Sequence, residues 1–387
     1  MYRSVSNYRP PPLGGVSLVH DTERHYLEYQ NRPLCGHDFD TLRYDASEIG
    51  LYWKGSLESL STVPQAKCAF TTPDGRLKEY TGRDRCDFIL EETIADRTFG
   101  KLVWGKRRVN TGYEDVLVKK PSSQPHTKQE AVIQWLCNKS LTEYNLGSHC
   151  PQVFDVFNRG STLWFSMSPI YNAPILDAYV ISLPLWGMPR EENGIAVLKI
   201  ISQIAMCCFV LERTIGFNHR DLKPDNILVK TDAVKEHRLK WQGFDIIVAS
   251  SPMAILVDFG FSCLGPGKVP WIQAGDGVLP PLDPCPKVGR DIFMLLVFLL
   301  WRRDIRESLT DEHLRFLKSS LDLTKERWSQ MMSMRRDPID WIYMLITEPD
   351  FKCPALDPYM WLQTCAAAYP QVVEIRIHSG SNIVSTS

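Results

Sequence analysis

Neither sign of charge dominates this chain: 44 lysines and arginines stand against 45 aspartates and glutamates, a net of −1. That balance gives no electrostatic draw toward nucleic acid or an anionic membrane, and no such partner is expected. The 11 cysteines are odd in number, and none falls in C-x-x-C spacing. This speaks against a disulfide framework or a zinc site, and for a reducing, intracellular compartment. Met1 to Val16 holds tyrosine and proline but no apolar core, so no signal peptide is read there. The longest apolar run, Ile292 to Trp301, is about half of the ~20 residues that a membrane span needs, and is expected to be a core helix.

What is present points to a globular chain. Its 387 residues suffice for two or three domain-sized units by the roughly 150-residue prior, and the 44% hydrophobic content can fill sizeable cores. One octet organises the rest: His219-Arg220-Asp221-Leu222-Lys223-Pro224-Asp225-Asn226. These are parts for phosphoryl transfer. An aspartate can accept a proton from an attacking hydroxyl, and a lysine two residues on can neutralise charge on the moving phosphate. An asparagine five residues on can ligate magnesium through its carbonyl oxygen. Ile227-Leu228-Val229 then reads as a short buried strand.

The octet resembles the catalytic loop of eukaryotic-type protein kinases, H-R-D-L-x-x-x-N, and matches it at each fixed position. Its D-L-K-P-x-N form is similar to the serine/threonine-specific version. Downstream, Ala254 to Val257 is an apolar strand ending in Asp258-Phe259-Gly260, which resembles the magnesium-binding D-F-G motif. The resemblance implies an α+β, bilobal fold, with a small β-rich N-lobe and a larger helical C-lobe. Residues 86–170 and 171–375 are expected to form the two lobes. Residues 1–85 are read as an extension of unassigned fold, and 376–387 as a tail.

Within that frame, Phe88 to Val103 is expected to form a phosphate-covering hairpin. It keeps only the third glycine of G-x-G-x-x-G-x-V, as Gly100; Ala95 and Arg97 stand at the first two, and Leu102 at the valine. Asp115 to Lys120 resembles the strand that supplies the ATP lysine. Register favours Lys119, with Leu117 narrowing the adenine pocket; a shift by one makes it Lys120, since alternation sends only one of the two inward. The helix expected over His126 to Ser140 offers Glu130 as the partner of that lysine, although Gln134 sits where an apolar residue is implied. Pro151 to Phe157 and Ser161 to Ser168 read as strands, with the inter-lobe hinge near Met167 to Asn172. Glu191 to Phe217 reads as a core helix.

Asn226 and Asp258 are 32 positions apart, so Lys230 to Pro252 is read as an inserted appendage. Phe261 to Pro286 corresponds to the activation segment. It lacks A-P-E and holds no threonine or tyrosine, only Ser262, so no phosphorylation switch is expected there. Asp291, opening the next helix, stands where the family's aspartate braces the catalytic loop. The missing glycines and compact activation segment are similar to those of kinases from large DNA viruses.

The implied activity is transfer of the γ-phosphate of ATP to a protein serine or threonine. Asp221 is the base, Lys223 meets the γ-phosphate, and Asn226 and Asp258 carry magnesium. Lys119 and Glu130 hold the nucleotide, beneath a hairpin containing Ala95, Gly100 and Leu102. Two rivals stand beside this reading. One is a pseudokinase that uses the fold to bind partners. The other is a small-molecule kinase of the aminoglycoside type, against which Lys223 argues. The oligomeric state is open.

Overall fold

The computed structural model describes residues 66–70, 86–97, 100–110, 112–121, 126–185, 187–231, 236–241, 243–249, 251–264, 272–273, 287–347 and 356–378. Most of the expected N-terminal extension, the hairpin tip and nearly all of the segment from Gly265 to Pro286 lie outside these residues. The fold is mixed α+β: a small β-rich lobe comes first and a larger helical lobe follows.

The small lobe is a six-stranded sheet in the order β1-β2-β3-β4-β6-β5. Its strands are β1 (Cys68–Phe70), β2 (Phe88–Arg97), β3 (Gly100–Val109), β4 (Gly112–Pro121), β5 (Val153–Arg159) and β6 (Thr162–Met167). β1 lies within the stretch read as an extension and pairs in parallel with β2. The Ala66 N–H donates to Asn158 O at 2.9 Å, which ties this strand to the far edge of the sheet. One face of the sheet buries Phe88, Leu90, Val103, Val116, Val118 and Trp164. The opposite face packs Leu117, Phe165 and Met167 against Ala131 of helix α1 (His126–Glu143).

The large lobe is built on helices α2 (Leu176–Leu185) and α3 (Arg190–Ile215). α3 is buried along nearly its whole length. It is the one helix among the described residues long and apolar enough to cross a membrane, a longer stretch than Ile292 to Trp301, yet 89% of that window is buried within the protein. Gly216 ends it at φ 61°, in the left-handed conformation that glycine adopts without steric penalty, and its N–H returns to the helix carbonyls. The chain then runs through β7 (Phe217–Asn218) into the octet and out through β8 (Ile227–Lys230). The apolar helix α4 (Arg290–Trp301) lies fully inside this lobe, and five shorter helices follow it, the last being Pro358–Ala368.

Lys230 to Pro252 is not an appendage. Strands β9 (Glu236–Trp241) and β10 (Phe244–Ala249) form a three-stranded sheet with β12 (Val373–Ile377), near the chain's end. Ile246 and Val248 face the core from this sheet. Trp241 packs on Tyr144 and Phe209, and the His237 ring meets that of His149 with centroids 4.3 Å apart. Gln203 of α3 fastens it: its amide donates to the carbonyls of Ala249 and Pro252, both at 2.8 Å, and its oxygen accepts from the Ala254 N–H at 2.9 Å. Charge at one end of this stretch hid the alternation of buried and exposed positions in Glu236–Trp241. Seven described cysteines are free thiols, whereas Cys263 is disulfide-bonded.

If the inserted sheet is part of the core, Ile246→Ala should destabilise the full chain by roughly 2–5 kcal/mol, the usual range for truncating a buried isoleucine. Urea unfolding reads this directly. An unchanged midpoint would mean that the sheet is peripheral.

Candidate active site

The site forms where two strand ends meet. β8 and β11 (Met253–Leu256) are antiparallel, with Ile227 opposite Leu256. The residue before Ile227 and the one after Leu256 therefore lie side by side, and the Val257 N–H donates to Asn226 O at 3.0 Å. This register brings the octet and the Asp258-Phe259-Gly260 turn together, although they are 32 positions apart.

Asp258 sits at φ 65°, a strained backbone for a residue with a side chain, and so does Arg220. Surrounding bonds hold both in place. The Asp291 carboxylate accepts from the His219 N–H at 2.7 Å and the Arg220 N–H at 3.0 Å. Tyr343 donates its hydroxyl to Arg220 O at 2.9 Å. His219 Nε2 lies 3.1 Å from Val257 O; a carbonyl only accepts, so the proton is on Nε2. Phe259 is fully buried beside the rings of His219 and Phe217.

Within this frame the acidic and basic side chains converge. Lys119 Nζ donates to Glu130 and, at 2.8 Å, to Asp258 Oδ1. Lys119 is thus the inward lysine; Lys120 points to the other face. Burial would lower the Lys119 pKa, but the adjacent carboxylates of Asp258 and then Glu130 hold it above the ordinary lysine value. Glu130 is raised by burial, against the pull of Lys119. Asp258 is lowered overall: burial pushes it up, and Lys119 more than reverses this. Its carboxylate remains open to the cleft, with 42% of the side chain exposed. Gly260 keeps that space clear, since a Cβ there would come within 3.3 Å of Asp258 Oδ1.

Asp221 is almost enclosed. Lys223 Nζ donates to both its oxygens, at 3.0 and 2.7 Å, and Asn226 Nδ2 donates to its backbone carbonyl at 2.8 Å and its Oδ2 at 2.9 Å. Burial raises the Asp221 pKa; Lys223 opposes this, and the nearby Asp258 charge adds to it. Lys223 is held above its ordinary value by Asp221 and Asp258, in spite of burial. Both Asn226 amide contacts use the nitrogen, which leaves its carbonyl oxygen as the group for a cation. With the Asp258 carboxylate it makes a hard-oxygen pair that suits magnesium better than a thiophilic metal.

The hairpin pairs Ala95 with Leu102, and Leu102 lies opposite Lys119 on the next strand. Gly100 opens β3 at φ 132°. Gln134 is buried, yet its amide donates to Pro151 O at 3.0 Å and contacts the Met167 sulfur at 3.4 Å. A polar residue thus fills that position without shifting the helix register that carries Glu130. Sequence reasoning passed over Tyr343, Gln203, Trp104 and Tyr171; only Gln203, polar within an apolar run, carried a readable signal.

No protein-family model matches this chain, and no curated protein matches it. Among solved structures it is similar to the crystal structure of the BubR1 kinase domain, at 18% identity over 54% of this chain and with a TM-score of 0.37. The match spans 59% of that chain, a partial likeness on which no functional point rests.

Asp291→Ala would strand two buried N–H groups, each worth about 1–3 kcal/mol when left unpaired. The full chain should lose stability on that scale in denaturant unfolding, with Asp291→Asn recovering part of it. Unchanged stability for Asp291→Ala would show that the loop does not depend on this brace.

Proposed function

We infer that this chain is an ATP-dependent protein kinase that transfers the γ-phosphoryl group to a serine or threonine hydroxyl of a protein. The observation that carries the reading is the convergence of Lys119, Glu130 and Asp258 on one side of the cleft with Asp221, Lys223 and Asn226 on the other. Positioning and charge neutralisation are the main demands of phosphoryl transfer, and these six side chains supply both.

Lys119, oriented by Glu130, would contact the α- and β-phosphates. Asn226 and Asp258 would hold magnesium, which when bound neutralises charge on the phosphate oxygens. Asp221 would orient the acceptor hydroxyl and take its proton as the oxygen bonds to the γ-phosphorus. The bond from that phosphorus to the bridging oxygen breaks, and ADP departs. Lys223, already on Asp221, would meet the transferred group. The even charge balance fits a protein substrate rather than nucleic acid.

A second reading, a kinase fold used as a binding module, draws on Ala95 in the hairpin and on Leu117 in the roof of the cleft. Incubation with γ-labelled ATP, magnesium and a generic basic protein separates the two. Asp221→Asn should cut transfer by orders of magnitude with little change in ATP affinity. A variant that keeps a near-normal rate removes Asp221 as the base.

The raised pKa of Asp221 also sets a pH dependence. Its base form exists only above that raised value, so the acid limb of kcat/KM should lie above the range of an ordinary aspartate. Lys223 lowers the Asp221 pKa, so Lys223→Met should move the limb to still higher pH. A limb that stays put or moves down would contradict the coupling of the two side chains.

A further inference from the structure

A row of large side chains lies beside Lys119 on the small-lobe sheet. Trp104 stands opposite Leu117, and Leu117 opposite Met167. Directly paired residues share a face of a sheet, as do residues two apart along a strand. Leu117 is two residues before Lys119. The row therefore occupies the face from which Lys119 reaches Glu130 and Asp258, the face turned to the cleft. Leu102 and Trp104 pack into the same apolar cluster as Leu117 and Met167.

Beyond Met167 the chain crosses to the large lobe, and Tyr171 lies on this crossing. Its ring stacks on Trp104, with centroids 5.2 Å apart and planes 11° from parallel. Its hydroxyl donates to Asp115 Oδ2 at 3.1 Å. Asp115 is two residues before Leu117, on the same face of β4. Tyr171 is 48% exposed, so this stack and this single hydrogen bond are its main restraints.

We propose that Tyr171 is a gate on the base-binding part of the cleft, closed when it stacks on Trp104 and opened when the flat base of a nucleotide takes its place on the indole. Leu117, branched and buried in the roof, fills the depth that a small residue would leave for the base. The remaining planar surface beside Lys119 is Trp104, which Tyr171 covers. A base and a phenol ring are both flat π-systems and compete for the same stacking partner. This gate rests on the nucleotide reading of the site.

A closed gate lowers apparent affinity by the fraction of time it is open, so a gate open one-tenth of the time weakens binding about ten-fold. The test is stopped-flow binding of a ribose-labelled fluorescent ATP, with magnesium, to the full-length chain. Tyr171→Ala should speed association and tighten binding, each by up to about ten-fold. Tyr171→Phe, which keeps the ring and loses only the hydrogen bond, should give a smaller change in the same direction. Trp104→Ala should weaken binding by about ten-fold or more, through loss of the stacking surface. Wild-type binding that both Tyr171 variants leave unchanged or weaken would overturn the gate and leave the nucleotide reading intact; Tyr171 would then only stiffen the crossing. An absence of binding in every protein, wild type included, would remove the nucleotide reading and the gate with it.

Discussion

Lys119 places one ammonium between two carboxylates that come from distant parts of the chain. Glu130 stands on α1 beside the small-lobe sheet, and Asp258 follows a strand of the large lobe. An unpaired charge in such a place is costly, and removing one partner of a buried pair is more damaging than the pair is stabilising. That one cation joins α1 to β4 through Glu130 and ties β4 to the turn after β11 through Asp258, whose charge in turn raises the Asp221 pKa.

The large lobe in turn suspends Asp258 and Asp221 from buried polar groups. Asp291, Tyr343 and His219 hold the octet by its backbone, so that Arg220 and Asp258 can both keep a positive φ. Strain of this kind persists only where the surroundings over-determine it. The inserted sheet belongs to that support. Gln203 joins it to the start of β11, the strand that ends just before Asp258. The insertion, the C-terminal strand β12 and the core helix thereby meet at the start of the strand that leads to Asp258.

Much of this was legible in the sequence, because the residues concerned are contiguous. The octet and the Asp-Phe-Gly turn each fit within a few positions; strand alternation allowed only one of Lys119 and Lys120 inward, and register with the resembled lysine strand favoured Lys119. The helices expected over His126 to Ser140 and Glu191 to Phe217 followed from apolar periodicity, and the observed helices, His126–Glu143 and Arg190–Ile215, end within a few residues of those bounds. What was not legible depends on long-range pairing. β1 is three residues among turn formers and gains its place only by lying beside β2. Glu236–Trp241 became a strand through partners on both the next hairpin arm and, across that arm, the chain's end. Gln134 looked misplaced because its hydrogen-bond acceptor, the carbonyl of Pro151, is invisible to helix periodicity. The Trp104–Tyr171 stack joins residues far apart in sequence, whose types alone carry no signal.

The central claim is that Lys119, Asp258 and Asn226 form one magnesium-dependent nucleotide site. Isothermal titration of the full-length chain with ATP, with and without magnesium and alongside Asp258→Asn, tests it most directly. The account predicts saturable 1:1 binding to the wild type that depends on magnesium and is lost or strongly weakened in Asp258→Asn. Binding that ignores magnesium, or that survives this substitution undiminished, would contradict it.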